Sequence, residues 1–238
     1  MALFTAEAVR ANIRNRDGRR VFYLGTEDRL TPGAEAYLRQ REIDIIPAGQ
    51  AANRGYRSVR GAVFGEKPED MTHLNAQILV PKTHPRIAFR GCIDLLEAEL
   101  LLAQKMAGHE GYDVICRELG EALELSRKMI AADVLNEPLA DILLGGLNDA
   151  ELRARSHLPQ KYYGQPHFMP DKDCGWTLLQ VNRSRATARQ AELAFCRAFQ
   201  DTEGMCTRKD ILLGLNRLSS FLWILEIRLA AGKETGDG

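Results

Sequence analysis

The stretch 207–231 constrains the fold more than any other part of this 238-residue chain. Leu212, Leu215, Leu222, Leu225 and Leu229 recur along it, and it is apolar nearly all round. A helix of that kind must be covered on every side, at the centre of a bundle or at a subunit interface. The apolar run around Phe221–Leu225 is far short of the ~20 residues a spanning helix needs, so no membrane role is expected. Other helices are at hand to cover it. From about Pro85 onward the texture predicts helices near 86–107, 111–135, 148–156 and 175–200. The C-terminal two-thirds therefore reads as an all-α bundle.

The first 50 residues differ. A short amphipathic helix over Ala6–Arg14 leads into the strand-like run Val21–Leu24. Thr31-Pro32 has the form of a helix N-cap followed by proline at the first helical position. That helix is expected to run to about Arg41, and Ile43–Ile46, closed by Pro47, reads as a second strand. Residues 1–50 are thus expected to form a small α+β unit. Residues 51–71 are polar, rich in Arg and Gly and without a clear period, which predicts a loop or linker. The helical domain is expected over 72–232, with a fraying tail at 233–238.

Composition excludes several classes. The 32 Lys+Arg balance 32 Asp+Glu, so the chain is not a generally basic nucleic-acid binder. Cys92, Cys116, Cys174, Cys196 and Cys206 are odd in number and contain no C-x-x-C pair. They read as reduced thiols of a cytoplasmic protein, not as a disulfide framework or zinc site. The opening MALFTAEAVRANIRNR has no signal-peptide pattern. There is no phosphate-binding glycine loop, dinucleotide fingerprint, nucleophile elbow or H-E-x-x-H pair.

Three groups of residues are able to carry chemistry. On a helix, Arg185 and Arg189 share a face, with Asn182 one turn earlier and Glu192 three residues beyond Arg189. Two readings are open. One is a solvated face with an Arg189–Glu192 pair. The other is a polyphosphate site, since arginine makes strong charge-assisted bonds to phosphate. Lys82 and Arg86 bracket a turn at the N-terminus of the helix carrying Asp94, where anions are favoured; an exposed basic turn, with Asp94 paired to Arg90, is the alternative. Asn216, Arg217, Ser219 and Ser220 interrupt the apolar last helix, and buried polar groups there need another helix or a ligand.

Taken in order, these segments resemble the ATP:cob(I)alamin adenosyltransferases, most closely their ethanolamine-utilization type. The likeness rests on Leu30–Ala34 through Ile43, on Thr72–Ala76, and on Val80–Arg86 with Phe89–Asp94. It continues through Asp133–Leu139, Ser156-His157, Arg185…Arg189…Glu192 and Leu215–Ser220. Three of these stretches resemble the words K-D-D-P-R-V-x-A-x-G-x-x-D-E-L, R-x-x-x-R-x-x-E and L-N-R-L-S-D of the broader PduO type. The resemblance implies a mainly α protein, a five-helix bundle behind the small N-terminal unit. It implies a homo-oligomer, dimer or trimer, with ATP between subunits. Lys82, Arg185 and Arg189 would hold the triphosphate with Mg²⁺, and Arg86 would lie beside them. Asp94 would form a salt bridge with Arg189, Glu192 would order that network, and Asn216 would contact ATP. The product would serve a B12-dependent lyase or dehydratase, and a microcompartment shell is a possible partner.

The chain departs from its relatives in two places. Ethanolamine-utilization enzymes often carry a histidine and a Cys-Cys-x-x-Cys cluster just before the Thr-His-Leu word. Here Tyr56–Gly65 holds neither residue type, so no protein-held metal is expected there. In the PduO type, a phenylalanine keeps the lower ligand off cobalt. Here the corresponding residues are His167, Phe168 and Met169, and either of the first two is placed to face the corrin.

Overall fold

The computed structural model describes residues 2–16, 19–48 and 56–232. Among these residues the chain is mainly helical, with eight helices and short strands. It divides into two compact units, residues 1–80 and 81–238.

The first unit opens with β1 (Leu3–Phe4), α1 (Ala6–Ala11), β2 (Arg14–Arg16) and β3 (Arg19–Leu24), followed by β4 (Arg29–Leu30), α2 (Pro32–Gln40) and β5 (Asp44–Pro47). β2 and β3 pair antiparallel, whereas β3 and β5 pair parallel with Phe22 opposite Ile45. The parallel pair requires a crossover, and α2 supplies it. Thr31 caps α2 as expected, its hydroxyl accepting from the Ala34 amide, and Pro32 occupies the first helical turn. Val9, Phe22, Ala34, Leu38 and Ile43 bury themselves between helices and sheet.

A second small sheet follows: β6 (Tyr56–Ser58), β7 (Val63–Phe64), β8 (Met71–His73) and β9 (Ile78–Pro81), in the order β7-β6-β9-β8. β6 and β7 therefore stand inside the stretch read from sequence as a loop. They are three and two residues long, too short for an alternating pattern to register. Residues 51–55 of that stretch lie outside the described residues.

The second unit is built on four long helices: α3 (Pro85–His109), α4 (Asp113–Leu135), α7 (Trp176–Phe199) and α8 (Lys209–Ala230). Two shorter ones, α5 (Asp149–His157) and α6 (Pro159–Tyr163), lie between α4 and α7. The ends follow local chemistry. His84 caps α3 ahead of Pro85, Asn136 closes α4 in the left-handed region, and Asn148 and Glu151 form a capping box on α5. α8 is the most enclosed helix, with Ile224 to Arg228 all buried in succession. This is what its all-round apolarity predicts. Phe89, Ile93, Leu96 and Leu100 line the inner face of α3 and meet Val181, Ala188 and Phe195 of α7 in the main core. Each such large side chain contributes about 1.5–3 kcal/mol by burial.

The connection 136–148 has no long regular element, yet side chains tie it to the helices. Asp210 accepts from the Leu139 amide at 2.9 Å, Glu121 from the Gly145 amide at 2.6 Å, and Arg208 donates to the Glu137 carbonyl at 2.8 Å. The bond from Arg208 holds the Asp210 carboxyl well below the usual range. Gly145 has φ +56°, and a Cβ there would lie 2.9 Å from the Phe221 ring, so only glycine suits the position.

Candidate active site

The α3–α7 pair carries two of the sequence-predicted segments. Phe89 meets Phe195 edge-on at 5.0 Å, and Glu99 meets Gln180 and Arg183. The pair is thus antiparallel, which brings Asp94 and Arg189 to the same level. Both are exposed, and among the described residues neither makes an ion pair or hydrogen bond. Glu192 is half-buried one turn beyond Arg189 and forms no ion pair with it. The local Arg189–Glu192 pair weighed from spacing is therefore not made. Around Asp94 and Arg189, Leu95 and Leu193 stand 48% and 54% exposed, an apolar setting unusual for two charges facing water.

Arg185, one turn before Arg189, points elsewhere. Its Nε donates to Glu226 Oε1 at 2.7 Å and its Nη2 to Asn182 Oδ1 at 2.7 Å. Its guanidinium carbon lies 5.3 Å from the Trp223 ring centre, within cation–π range. Trp223 in turn stacks on His167 at 5.6 Å and on Phe168 at 5.5 Å. His167 and Phe168, between which the sequence left the choice open, thus share one tryptophan, and Met169 beside them is 88% exposed. Glu226 is fully buried, and burial pushes its carboxyl up to about 7 against the pull of Arg185. Its second oxygen has no hydrogen-bond partner.

At the start of α3, Lys82 is exposed on the turn after β9. Arg86 folds inward. Its Nε and Nη2 reach Asp133 Oδ1 at 2.9 and 2.6 Å, and Nη2 also donates to the Asp133 carbonyl. Arg90 Nε reaches the other carboxylate oxygen at 2.7 Å. Asp133 is wholly buried between them. Arg90, for which Asp94 was the nearby partner in sequence, thus engages Asp133. Burial, then Arg86 and Arg90, lower the pKa of the capping His84.

On α8, Asn216 is half-buried and its amide donates to the Leu212 carbonyl of its own helix. Ser219 bonds to the Asn216 carbonyl, and Arg217 pairs with Asp149 of α5. No set of three or more His, Cys, Asp and Glu able to hold a metal ion occurs among the described residues.

Sequence reasoning passed over Asp133 and Glu226 as site residues, and also the buried Glu118–Arg228 pair at 2.6 Å. One signal was available: Glu226 and Arg228 are charges in the helix whose apolarity demanded complete cover. Asn216, Arg217, Ser219 and Ser220 drew notice there as polar interruptions of that helix, and the same argument applies to Glu226 and Arg228.

Arg185 thus lies against one face of an aromatic group, Trp223 with His167 and Phe168, on the helical bundle. The chain belongs to the cobalamin adenosyltransferase family, which it matches over residues 63–229. The corrinoid adenosyltransferase EutT of Salmonella typhimurium is 28% identical to it, over 92% of this chain and 89% of the relative. EutT of Escherichia coli K12 is 27% identical, over 94% and 91%. No solved structure matches the chain. No helix among the described residues is long and apolar enough to cross a membrane.

Proposed function

We propose that the chain transfers the 5′-deoxyadenosyl group of ATP to cob(I)alamin. The adenosylcobalamin formed would supply a B12-dependent ammonia-lyase or diol dehydratase in ethanolamine or related utilization. The observation that carries this reading is the family match, which spans the whole bundle.

In this reaction the cobalt of cob(I)alamin attacks C5′ of the ribose, a Co–C bond forms, the C5′–O bond breaks, and triphosphate leaves with the bonding pair. The substrate is its own nucleophile, so the protein's task is alignment and charge stabilisation. Lys82, Arg185 and Arg189 hold the triphosphate in this reading, with Arg86 behind Lys82 and Asn216 on the nucleotide. Mg²⁺ accompanies the triphosphate, whose oxygens supply much of its coordination. His167, Phe168, Met169 and Trp223 form the apolar surface against the corrin. By excluding the lower ligand they ease reduction of Co(II).

Asp94 and Arg189 pair across a subunit interface in this proposal. Their exposure, their common level and the uncovered Leu95 and Leu193 beside them support a second copy seated on this face. The assembly is a homo-oligomer, dimer or trimer, and Glu192 orders Arg189 within it. We place the protein with the lyase it serves, in the cytoplasm or a microcompartment lumen.

The test is an anaerobic spectrophotometric assay with chemically reduced cob(I)alamin and Mg·ATP, following Co–C bond formation. Turnover in the wild type that falls at least 100-fold in Arg189→Ala is the expected result. Tight cobalamin or ATP binding without turnover would instead indicate a carrier, or a microcompartment scaffold docked through residues 1–50.

A further inference from the structure

Glu226 belongs to no segment that carries the family likeness, yet it occupies the centre of the Arg185 cluster. It is fully buried, spends one oxygen on Arg185 and leaves the other without a partner. Arg185 is bound on three sides: by Glu226, by Asn182 and by the face of Trp223. A guanidinium so held has its charge already neutralised. To grip a triphosphate it must give up at least part of that set, and the carboxylate it leaves behind would be a buried, unpaired charge. Such a group takes up a proton rather than remain ionised.

We propose that Glu226 is a positioning residue that holds Arg185 over Trp223, and that it takes one proton from solvent when the triphosphate of ATP draws the guanidinium away. The inference rests on the reading that Arg185 binds that triphosphate. Carboxylate and phosphate then compete for one cation, and the proton settles the competition. The competition also makes Trp223 a relay: the ring that loses the guanidinium is the one that stacks on His167 and Phe168. Nucleotide binding would thereby free the aromatic surface assigned to the corrin.

The charged and titratable neighbours support this assignment of the proton. From α7, Arg185 pulls the Glu226 carboxyl down while burial raises it to about 7. Losing Arg185 therefore pushes it further up. From the segment before α7, His167 reaches the cluster through Trp223 and is itself exposed. On α8, Arg228 lies two residues on, held by Glu118 of α4. His167 is the side chain whose replacement controls for the Trp223 contact.

The experiment is calorimetric titration of the full-length protein with Mg·ATP at pH 8 and pH 6, each in two buffers of different ionisation enthalpy. With burial holding the carboxyl at about 7 and the loss of Arg185 pushing it further up, the wild type takes up a substantial part of one proton per site at pH 8 and far less at pH 6. Glu226→Gln binds Mg·ATP without that uptake, and His167→Asn retains it. Glu226→Met serves as the second carboxylate-free variant. Uptake in the wild type that is absent at pH 8, or undiminished at pH 6, overturns the proposal without need of any variant. So does uptake that persists in Glu226→Gln. If Arg185→Ala binds Mg·ATP as tightly as the wild type, the phosphate role of Arg185 fails first. That outcome is distinct from tight Arg185-dependent binding with no proton uptake.

Discussion

Replacing Asp133 with asparagine tests the buried polar centre at the start of the bundle. In the native protein one wholly buried carboxylate receives Arg86 and Arg90, at 2.6 and 2.7 Å. Both guanidiniums sit in the first two turns of α3, the positive end of the helix dipole, where cations are disfavoured. Asp133 offsets that repulsion as well as each arginine's desolvation. Breaking a buried ion pair on one side costs about 3–5 kcal/mol. The arginine side chains are 24% and 16% exposed, so water recovers part of the loss and the lower end applies, about 3 kcal/mol. For a domain of this size, that is a fall in Tm of about 6–12 °C. Urea unfolding followed by far-UV circular dichroism reads it directly, as a lower midpoint at unchanged slope. A loss below about 1 kcal/mol at constant slope would show that the two arginines find adequate partners elsewhere, and would refute the reasoning. Displaced Arg86 is also expected to raise KM for ATP more than it lowers kcat.

Three further outcomes follow from the geometry. Asp94→Arg and Arg189→Asp each abolish turnover in isolation, and mixing the two inactive proteins restores part of it, if the pair closes between subunits; no recovery in mixed assemblies that form normally would count against the shared site. Because the Glu226 carboxyl is raised from 4.5 to about 7, the folded protein binds the extra proton between those values. Its contribution to stability is present below 4.5 and is lost as pH rises to 7, so wild-type stability relative to Glu226→Gln falls by about 2–3 kcal/mol between pH 5 and pH 8; a flat difference would contradict the assignment. Chelators selective for iron and zinc leave turnover intact, whereas removing Mg²⁺ depresses it; inhibition by the former would reveal a metal site that Tyr56–Gly65 does not supply.

The helices were readable because their signals are local. Thr31-Pro32 and Pro85 fix starts, and apolar spacing over more than twenty residues fixes α3, α4, α7 and α8. β6 and β7 escaped because two or three residues show no period. The site divides along the same line. Arg185 and Arg189 stand out because four residues put them on one face. Their partners cannot be read that way, since Glu226 lies 41 residues from Arg185 and Asp133 lies 47 from Arg86. Arg90 shows the conflict most clearly. Asp94 is one turn away on the same helix, yet the buried Asp133 from another helix receives it, because a desolvated carboxylate offers a stronger bond than a hydrated one.

The connection between α4 and α5 has a consequence for how the protein comes apart. A link of this length without long regular structure would ordinarily be the first place a protease cuts. Here its Leu139 and Gly145 amides are bonded to Asp210 and Glu121, so opening it requires loosening α8 and α4 themselves. These amides are expected to exchange with deuterium at the rate of the helical core rather than of a loop. The link thus belongs to the cooperative unit it joins, and limited proteolysis should leave it whole until the bundle unfolds.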